Sequence, residues 1–89
     1  MERSVVVAIR EGLHARPAAL FAQAAGRQPV PVRIAKPGGA PVDAASVLGL
    51  MTLGADVGDE VVLTTESDDD GAATALDELV AFLAQDSPS

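Results

Sequence analysis

Alternating apolar and polar residues predict strands along three stretches of the chain, because successive side chains of a strand point to opposite faces. The inward-facing sets are Val5, Val7 and Ile9; Val30, Val32 and Ile34; and Val61, Leu63 and Thr65. Gly12 ends the first strand, and the last strand covers residues 60–66. Pro31 has no N–H, so we expect that position to be unpaired or at a sheet edge. The KPGG run at residues 36–39 is the clearest turn, and we expect a short strand over residues 40–42 to return from it.

Apolar positions three and four residues apart predict three helices. The first covers residues 15–26, with a proline in its first turn and a glycine at its end. Ser46 is the N-cap of a short helix that Gly54 closes. The third covers residues 70–84, and we expect residues 85–89 to fray. The apolar stripes contain Pro17, Leu20, Phe21 and Ala24 in the first helix, and Ala73, Leu76, Leu79, Val80 and Leu83 in the third.

The predicted order of elements is β-α-β-β-α-β-α, with no repeat and no linker. We therefore expect a single domain over residues 1–89. Strands with one apolar face and helices with one apolar stripe bury these surfaces by packing on each other. The expected fold class is α+β, a two-layer sandwich of sheet and helices.

The amino-acid composition excludes several kinds of site. The 89 residues include no Cys and one His, which rules out disulfides, thiolate metal sites and a cluster of histidine ligands. Trp and Tyr are absent, so the chain has no stacking platform for single-stranded nucleic acid, and its net charge of −7 repels phosphate backbones. We expect no metal, no cofactor and no nucleic-acid partner.

Charge is divided unevenly along the chain. All six basic residues and only two of the 13 acidic residues precede Pro37, so residues 1–36 carry +4 and the rest carry −11. The acidic half is most simply a solvated face, whereas the cationic half suits a small anion or an acidic partner. Because no apolar run approaches the roughly 18 residues of a membrane span, we expect a cytoplasmic, unprocessed protein without membrane contact.

The candidate chemistry lies in residues 11–19, where the first strand ends and the first helix begins. His14 falls at or beside the N-cap, where free N–H groups and the positive end of the helix dipole favour an anion. Arg16 adds a guanidinium whose paired donors match phosphate oxygens. A histidine here has a nucleophilic ring nitrogen close to groups that can hold a phosphoryl group. The simpler interpretation is that His14 is only a polar cap.

Two motifs resemble the HPr family, the histidine-containing phosphocarriers of the bacterial phosphoenolpyruvate-dependent sugar phosphotransferase system. GLHARPA at residues 12–18 is similar to the active-site motif of that family, and SVLGLMTLG at residues 46–54 is similar to its regulatory-serine segment. With the order of elements, the resemblance covers nearly the whole chain. It implies an open-faced sandwich with a four-stranded antiparallel sheet, order 1-4-2-3, and three helices on one face.

The resemblance also implies roles for individual residues. His14 matches the histidine that accepts a phosphoryl group on Nδ1 from phosphorylated Enzyme I and passes it to IIA units of sugar transporters. Arg16 matches the arginine that contacts the phosphoryl group, and the backbone N–H groups of Ala15 and Arg16 would bind its oxygens. We expect a monomeric phosphocarrier rather than an autonomous enzyme.

Ser46 matches the serine that a dedicated enzyme, HPr kinase/phosphorylase, modifies in some family members. Two departures from the family pattern bear on this role. Ala45 stands where a basic or polar residue is common, and Asp43 adds a negative charge nearby. A serine at this position also has the plain role of a helix cap.

The second helix has two interpretations. In the family it lies beside the histidine, and its outward apolar residues meet partner proteins. That resemblance implies a partner interface formed by Val47, Leu48 and Met51, together with Leu20 of the first helix. A short helix must also bury part of its surface, so we expect about half of the three second-helix residues in the core.

Two alternatives to a phosphocarrier stay open. One is an HPr-like regulatory protein that acts mainly by binding partner proteins, although such a protein has no need of a nucleophile at His14. The other is a ferredoxin-like domain that binds a small ligand, but the helix at residues 70–84 and the pair of His14 with Arg16 count against it. The acidic run at residues 68–70 lacks a chelating-loop pattern, and helix capping explains it better than a cation site.

Overall fold

The computed structural model of the chain describes residues 1–86, which fold into four strands and three helices. The strands are β1 (Glu2–Val6), β2 (Arg33–Ala35), β3 (Val42–Asp43) and β4 (Glu60–Thr64). The helices are α1 (Ala15–Gly26), α2 (Val47–Leu53) and α3 (Asp70–Ala84). The predicted order of elements is confirmed. The fraying expected for residues 85–89 falls mostly on residues 87–89, which lie outside the described residues.

The four strands form one antiparallel sheet in the order β1-β4-β2-β3. β4 lies inside the sheet and pairs with β1 on one side and β2 on the other, while β3 extends the sheet beyond β2. Residues of β1 that point away from the core, such as Ser4 and Val6, are exposed. The α+β sandwich with strand order 1-4-2-3 is therefore confirmed.

Apolar side chains of residues 1–86 form a core between the sheet and the helices. The largest of the fully buried ones are Val7, Ile9, Leu13, Phe21, Ile34, Leu50, Val61, Leu63, Leu76, Leu79 and Leu83. Phe21 of α1 and Phe82 of α3 meet edge to face, with ring centroids 5.4 Å apart. This favourable aromatic geometry joins the first and last helices.

The predicted limits of the first strand are wrong, although its burial pattern is right. β1 ends at Val6 because Val6 pairs with Glu60, the first residue of β4. Val7 and Ile9 are buried beyond the end of the strand. The N–H of Val7 donates to the carbonyl of Asp59 at 2.9 Å, so this backbone is satisfied by a loop rather than by the sheet.

The second and third strands are shorter or shifted relative to their predicted positions. Residues 30–32 precede β2 because Pro31 has no N–H to contribute to the sheet. Val32 is nevertheless buried, and its carbonyl accepts a hydrogen bond from the N–H of Ala44 at 3.0 Å. β3 covers residues 42–43 instead of 40–42, since Pro41 likewise has no N–H.

The helix limits follow local signals. Ser46 is the N-cap of α2, and Gly54 ends that helix with a φ of +66°, in the left-handed region that glycine favours. Asp69 is the N-cap of α3, which confirms the capping interpretation of residues 68–70. Among residues 1–86, every helix is too short or insufficiently apolar to cross a membrane.

Candidate functional site

Gly12 makes the turn that places His14 at the start of α1. Its φ is +73°, a conformation that glycine adopts without steric cost. A Cβ at this position would lie 3.0 Å from the carbonyl oxygen of Ala55, 3.0 Å from Cδ2 of His14 and 3.1 Å from Cα of Asp56. A glycine is therefore needed here both for the turn and for the close approach of the His14 ring to residues 55 and 56.

His14 is the N-cap residue of α1, and its side chain makes no capping hydrogen bond with the described residues. Pro17 has no N–H, and the N–H of Ala18 donates to the carbonyl of His14 at 3.3 Å. The N–H groups of Ala15 and Arg16 are therefore the first-turn donors left for an outside acceptor. The first turn contains no acidic residue, so the positive end of the helix dipole is not neutralised there.

Ala15 and Arg16 lie on the exposed surface beside His14. Ala15 has a φ of +47°, in the left-handed region. This conformation costs an alanine about 1 kcal/mol. The Arg16 guanidinium forms no ion pair within residues 1–86, which leaves its charge for an incoming anion. The structure thus brings the three predicted residues together on one open face, where the His14 side chain is 42% exposed.

Asp56 is a site residue that the sequence analysis missed. Its Oδ1 atom lies 2.5 Å from Nε2 of His14. An ionised carboxylate only accepts hydrogen bonds, so the tautomer with its proton on Nε2 is the one that satisfies this contact. In the neutral ring, Nδ1 then keeps an unshared electron pair. The two residues are 42 positions apart in the chain, and only the folded backbone brings them together.

A loop over residues 55–59 holds Asp56 in position. The N–H of Asp56 donates to Oδ2 of Asp59 at 2.9 Å, and the N–H of Asp59 donates back to the carbonyl of Asp56 at 3.0 Å. Nζ of Lys36, directly after β2, lies 3.6 Å from the same Oδ2 atom. The N–H of Asp56, and to a lesser extent the charge of Lys36, lower the pKa of the Asp59 carboxyl below its usual value.

α2 presents apolar side chains on the surface of the molecule. The exposed fractions are 39% for Val47, 76% for Leu48 and 51% for Met51. The expectation that about half of these residues enter the core is therefore wrong. Leu50 is the residue that α2 buries completely, because a helix of seven residues turns only a narrow face inward. α2 packs against α1, where Leu20 is half-buried.

Ser46 has the geometry of a helix cap. Its Oγ atom accepts a hydrogen bond from the N–H of Gly49 at 3.0 Å. A Cβ at Gly49 would lie 3.3 Å from this Oγ and 3.4 Å from Cβ of Val42, so a larger residue would be tight against the Ser46 cap at this point of the helix. The capping role of Ser46 is confirmed, and its phosphorylation stays a prediction.

Comparison with known proteins identifies the family. A family profile described as "PTS HPr component phosphorylation site" matches residues 1–85. The chain belongs to the HPr family. The phosphocarrier protein HPr of Streptomyces coelicolor is 51% identical over 84 residues, which cover 94% of this chain and 88% of that protein. The chain is therefore a phosphotransferase-system component of the HPr phosphocarrier type.

Solved structures of related proteins have the same fold. The crystal structure of a phosphocarrier protein HPr from Bacillus anthracis matches with a TM-score of 0.84 and 40% identity, covering 93% of this chain and 95% of that one. The catabolite repression protein Crh of Bacillus subtilis, described as a dimer with a swapped domain, matches with a TM-score of 0.72 and 40% identity over 92% of this chain and 91% of that one. The monomer expected for the present HPr-family chain therefore stays a prediction.

Proposed function

We propose that this chain accepts a phosphoryl group on Nδ1 of His14 from phosphorylated Enzyme I and donates it to IIA units of sugar transporters. The observation that carries the proposal is the contact of Nε2 with Asp56, which leaves the electron pair on Nδ1. The free N–H groups at the start of α1 and the Arg16 guanidinium supply donors for the phosphoryl oxygens.

The transfer step moves no proton across the site. The electron pair of Nδ1 forms a bond to phosphorus, while the bond from phosphorus to the donor breaks and leaves its electron pair on the donor. The ring keeps its proton on Nε2 and becomes positively charged. In the onward step, an acceptor attacks phosphorus and the electrons of the N–P bond return to Nδ1, which restores the neutral ring.

The proposed contact surface for these partners comprises Val47, Leu48, Met51 and Leu20, next to the His14 face. Exposed apolar side chains gathered on one short helix favour contact with another protein. Met51 adds a flexible side chain, which suits a surface that fits several partners. An open face of this kind also allows donor and acceptor proteins to bind in turn.

The direct test is phosphorylation of the purified protein with Enzyme I and labelled phosphoenolpyruvate. We expect one label per chain, in the peptide that contains His14, because the chain has a single histidine. The label should be lost in acid and kept in base, as a P–N bond requires. An acid-stable label, or no label while the same Enzyme I modifies another HPr, would contradict the proposal.

We further propose that Ser46 is a regulatory phosphorylation site for an HPr kinase/phosphorylase. A phosphoryl group at this N-cap adds charge next to the exposed apolar residues of α2, while the positive end of the helix favours it. Ser46→Asp should slow transfer from Enzyme I by roughly threefold to tenfold without lowering the melting temperature. Ser46→Asn is the matched control, since it caps the helix without charge. Equal transfer rates in the two variants would place Ser46 outside the contact surface.

Regulatory binding is a second candidate function, and the similarity to Crh is the observation that favours it. This candidate shares the fold and the α2 surface but does not need His14 as a nucleophile. The labelling experiment separates the two, because a regulatory binder without carrier function would take up no phosphoryl group from Enzyme I.

A further inference from the structure

We propose that Asp56 is a positioning residue for His14, which fixes the ring proton on Nε2 and stabilises the positive charge of the phosphorylated ring. The first half, the position of the ring proton, concerns the free protein and does not depend on the carrier function. The second half rests on the proposed carrier function, since it concerns the phosphorylated state.

The backbone fixes Asp56 relative to His14. The residue before Asp56, Ala55, is fully buried, and its carbonyl accepts the N–H of Leu13 at 2.8 Å. Leu13 is also fully buried. Leu13 and Ala55, which precede His14 and Asp56, are thus held in the core and hydrogen-bonded to each other. The contact of the carboxylate with the ring therefore does not depend on two freely moving surface side chains.

The rest of the loop is held from two sides. Gly58 donates its N–H to the carbonyl of Val7 at 2.8 Å, and Val7 donates to the carbonyl of Asp59 at 2.9 Å. Lys36 faces the Asp59 carboxylate, which partly balances its charge. Among residues 1–86, the His14 ring is the basic group that the Asp56 carboxylate contacts, so this negative charge is directed to the ring.

The contact of Asp56 with the ring should be stronger in the phosphorylated state. In the free protein, a neutral ring N–H donates to the carboxylate. After transfer the same N–H belongs to a positively charged ring, so Coulombic attraction between opposite charges is added to a hydrogen bond that already has an ionised acceptor. A contact that strengthens on phosphorylation shifts the transfer equilibrium towards the phosphorylated carrier. The side chains are 42% and 70% exposed, which limits the shift to about fivefold.

Three variants separate the two halves of the proposal. Asp56→Asn keeps an acceptor oxygen and removes the charge, whereas Asp56→Ala removes both. Asp68→Asn is the matched control, because it removes the same charge before the start of α3. The opposite, C-terminal end of α3 is the one that contacts the segment leading to His14, where Ala8 donates its N–H to the carbonyl of Leu83 at 2.8 Å.

Ring ¹⁵N spectra of the free proteins at neutral pH test the tautomer. The wild type and Asp68→Asn should show the proton on Nε2, whereas the amide of Asp56→Asn can either accept from or donate to Nε2 and should not select one tautomer. In Asp56→Ala the ring is released, so its nitrogen shifts should move towards the average of both tautomers. Unchanged nitrogen shifts in the folded Asp56→Ala protein would overturn the positioning role, and a merely structural role would not produce the expected movement.

The equilibrium with phosphorylated Enzyme I tests the charge. Asp56→Asn should lower the ratio of phosphorylated to free carrier by up to about fivefold, while Asp68→Asn should match the wild type. Equal ratios in all three proteins would overturn this half of the proposal. If the wild type takes up no phosphoryl group at all, the carrier function fails instead, and the nitrogen spectra still decide whether Asp56 positions the ring.

Discussion

The helices α1 and α3 begin in opposite ways. At α3, Asp69 accepts the N–H of Ala72 at 2.9 Å, and Asp70 adds a negative charge in the first turn. At α1, His14 occupies the N-cap without a side-chain capping bond, and its first turn contains no acidic residue. The positive dipole end of α3 is satisfied by side chains of its own N-cap and first turn, whereas that of α1 is left for an outside anion. An N-cap that stabilises the fold and an N-cap that binds a ligand are thus distinguished by whether the local side chains satisfy the free N–H groups.

The largest expected effect in this comparison comes from His14→Ala. Phosphorylation should be abolished, because the chain has no other histidine. The free energy of unfolding should fall by no more than about 1 kcal/mol, since His14 makes no capping bond that the alanine would lose and its contact with Asp56 is exposed. Labelling and urea unfolding of the same preparation measure both. A labelled His14→Ala protein would refute the carrier function.

Arg16→Ala should slow phosphoryl transfer by about tenfold to a hundredfold, because a charged donor at the reacting group is removed. Arg16→Lys should have a smaller effect, since it keeps the charge and loses the paired geometry of the guanidinium. Single-turnover measurements with Enzyme I rank the transfer rates of the wild type, Arg16→Lys and Arg16→Ala. If all three react equally fast, Arg16 does not contact the phosphoryl group.

Asp69→Ala is the reciprocal test at α3. It should lower the free energy of unfolding by about 1 kcal/mol through the lost cap. Phosphoryl transfer at a temperature where the protein is folded should not change. Asp69→Asn retains the cap and serves as the control. A loss of transfer activity without a loss of stability would show that the α3 N-terminus is not purely structural.

A smaller, pH-dependent effect should appear at Asp59, on the His14 side of the molecule. The pKa of this carboxyl lies below its usual value of 3.8 because the N–H of Asp56 and the charge of Lys36 favour the ionised form. The group therefore stabilises the fold above its unfolded pKa, and this contribution is lost as the pH falls through the lowered value. Asp59→Asn should be less stable than the wild type at neutral pH. The difference should vanish on acidification, and a gap that stays constant down to about pH 2 would contradict this.

The helices of this fold were predictable because their limits depend on neighbouring residues. Gly26, Ser46 and Gly54 mark ends that the structure places at the predicted residues. Strand limits depend instead on a partner far away in the chain. β1 stops at Val6 because β4 starts opposite it. The apolar pattern continues to Ile9 because these residues are buried, although they are not hydrogen-bonded within the sheet.

The same distinction applies to the site. His14 and Arg16 stand in a local motif at a helix start, so sequence reasoning reached them. Asp56 contributes through a contact across 42 positions, and nothing in the residues around it differs from an ordinary acidic turn. The choice of Leu50 over Val47 as the core residue of α2 depends on how that helix is rotated against α1, which a helix of seven residues does not encode by itself.

The strand order also determines when the His14 site can form during folding. β1 pairs with β4, and the amino group of Met1 donates to the carbonyl of Thr65 across 64 positions at 3.1 Å. Closing a loop of this length is slow compared with forming the helix that follows His14. During synthesis, a nascent chain that already contains His14 and all of α1 still lacks the loop that carries Asp56. The complete site therefore exists only after β4 has been made and added to the sheet. The His14 site thus forms late in folding.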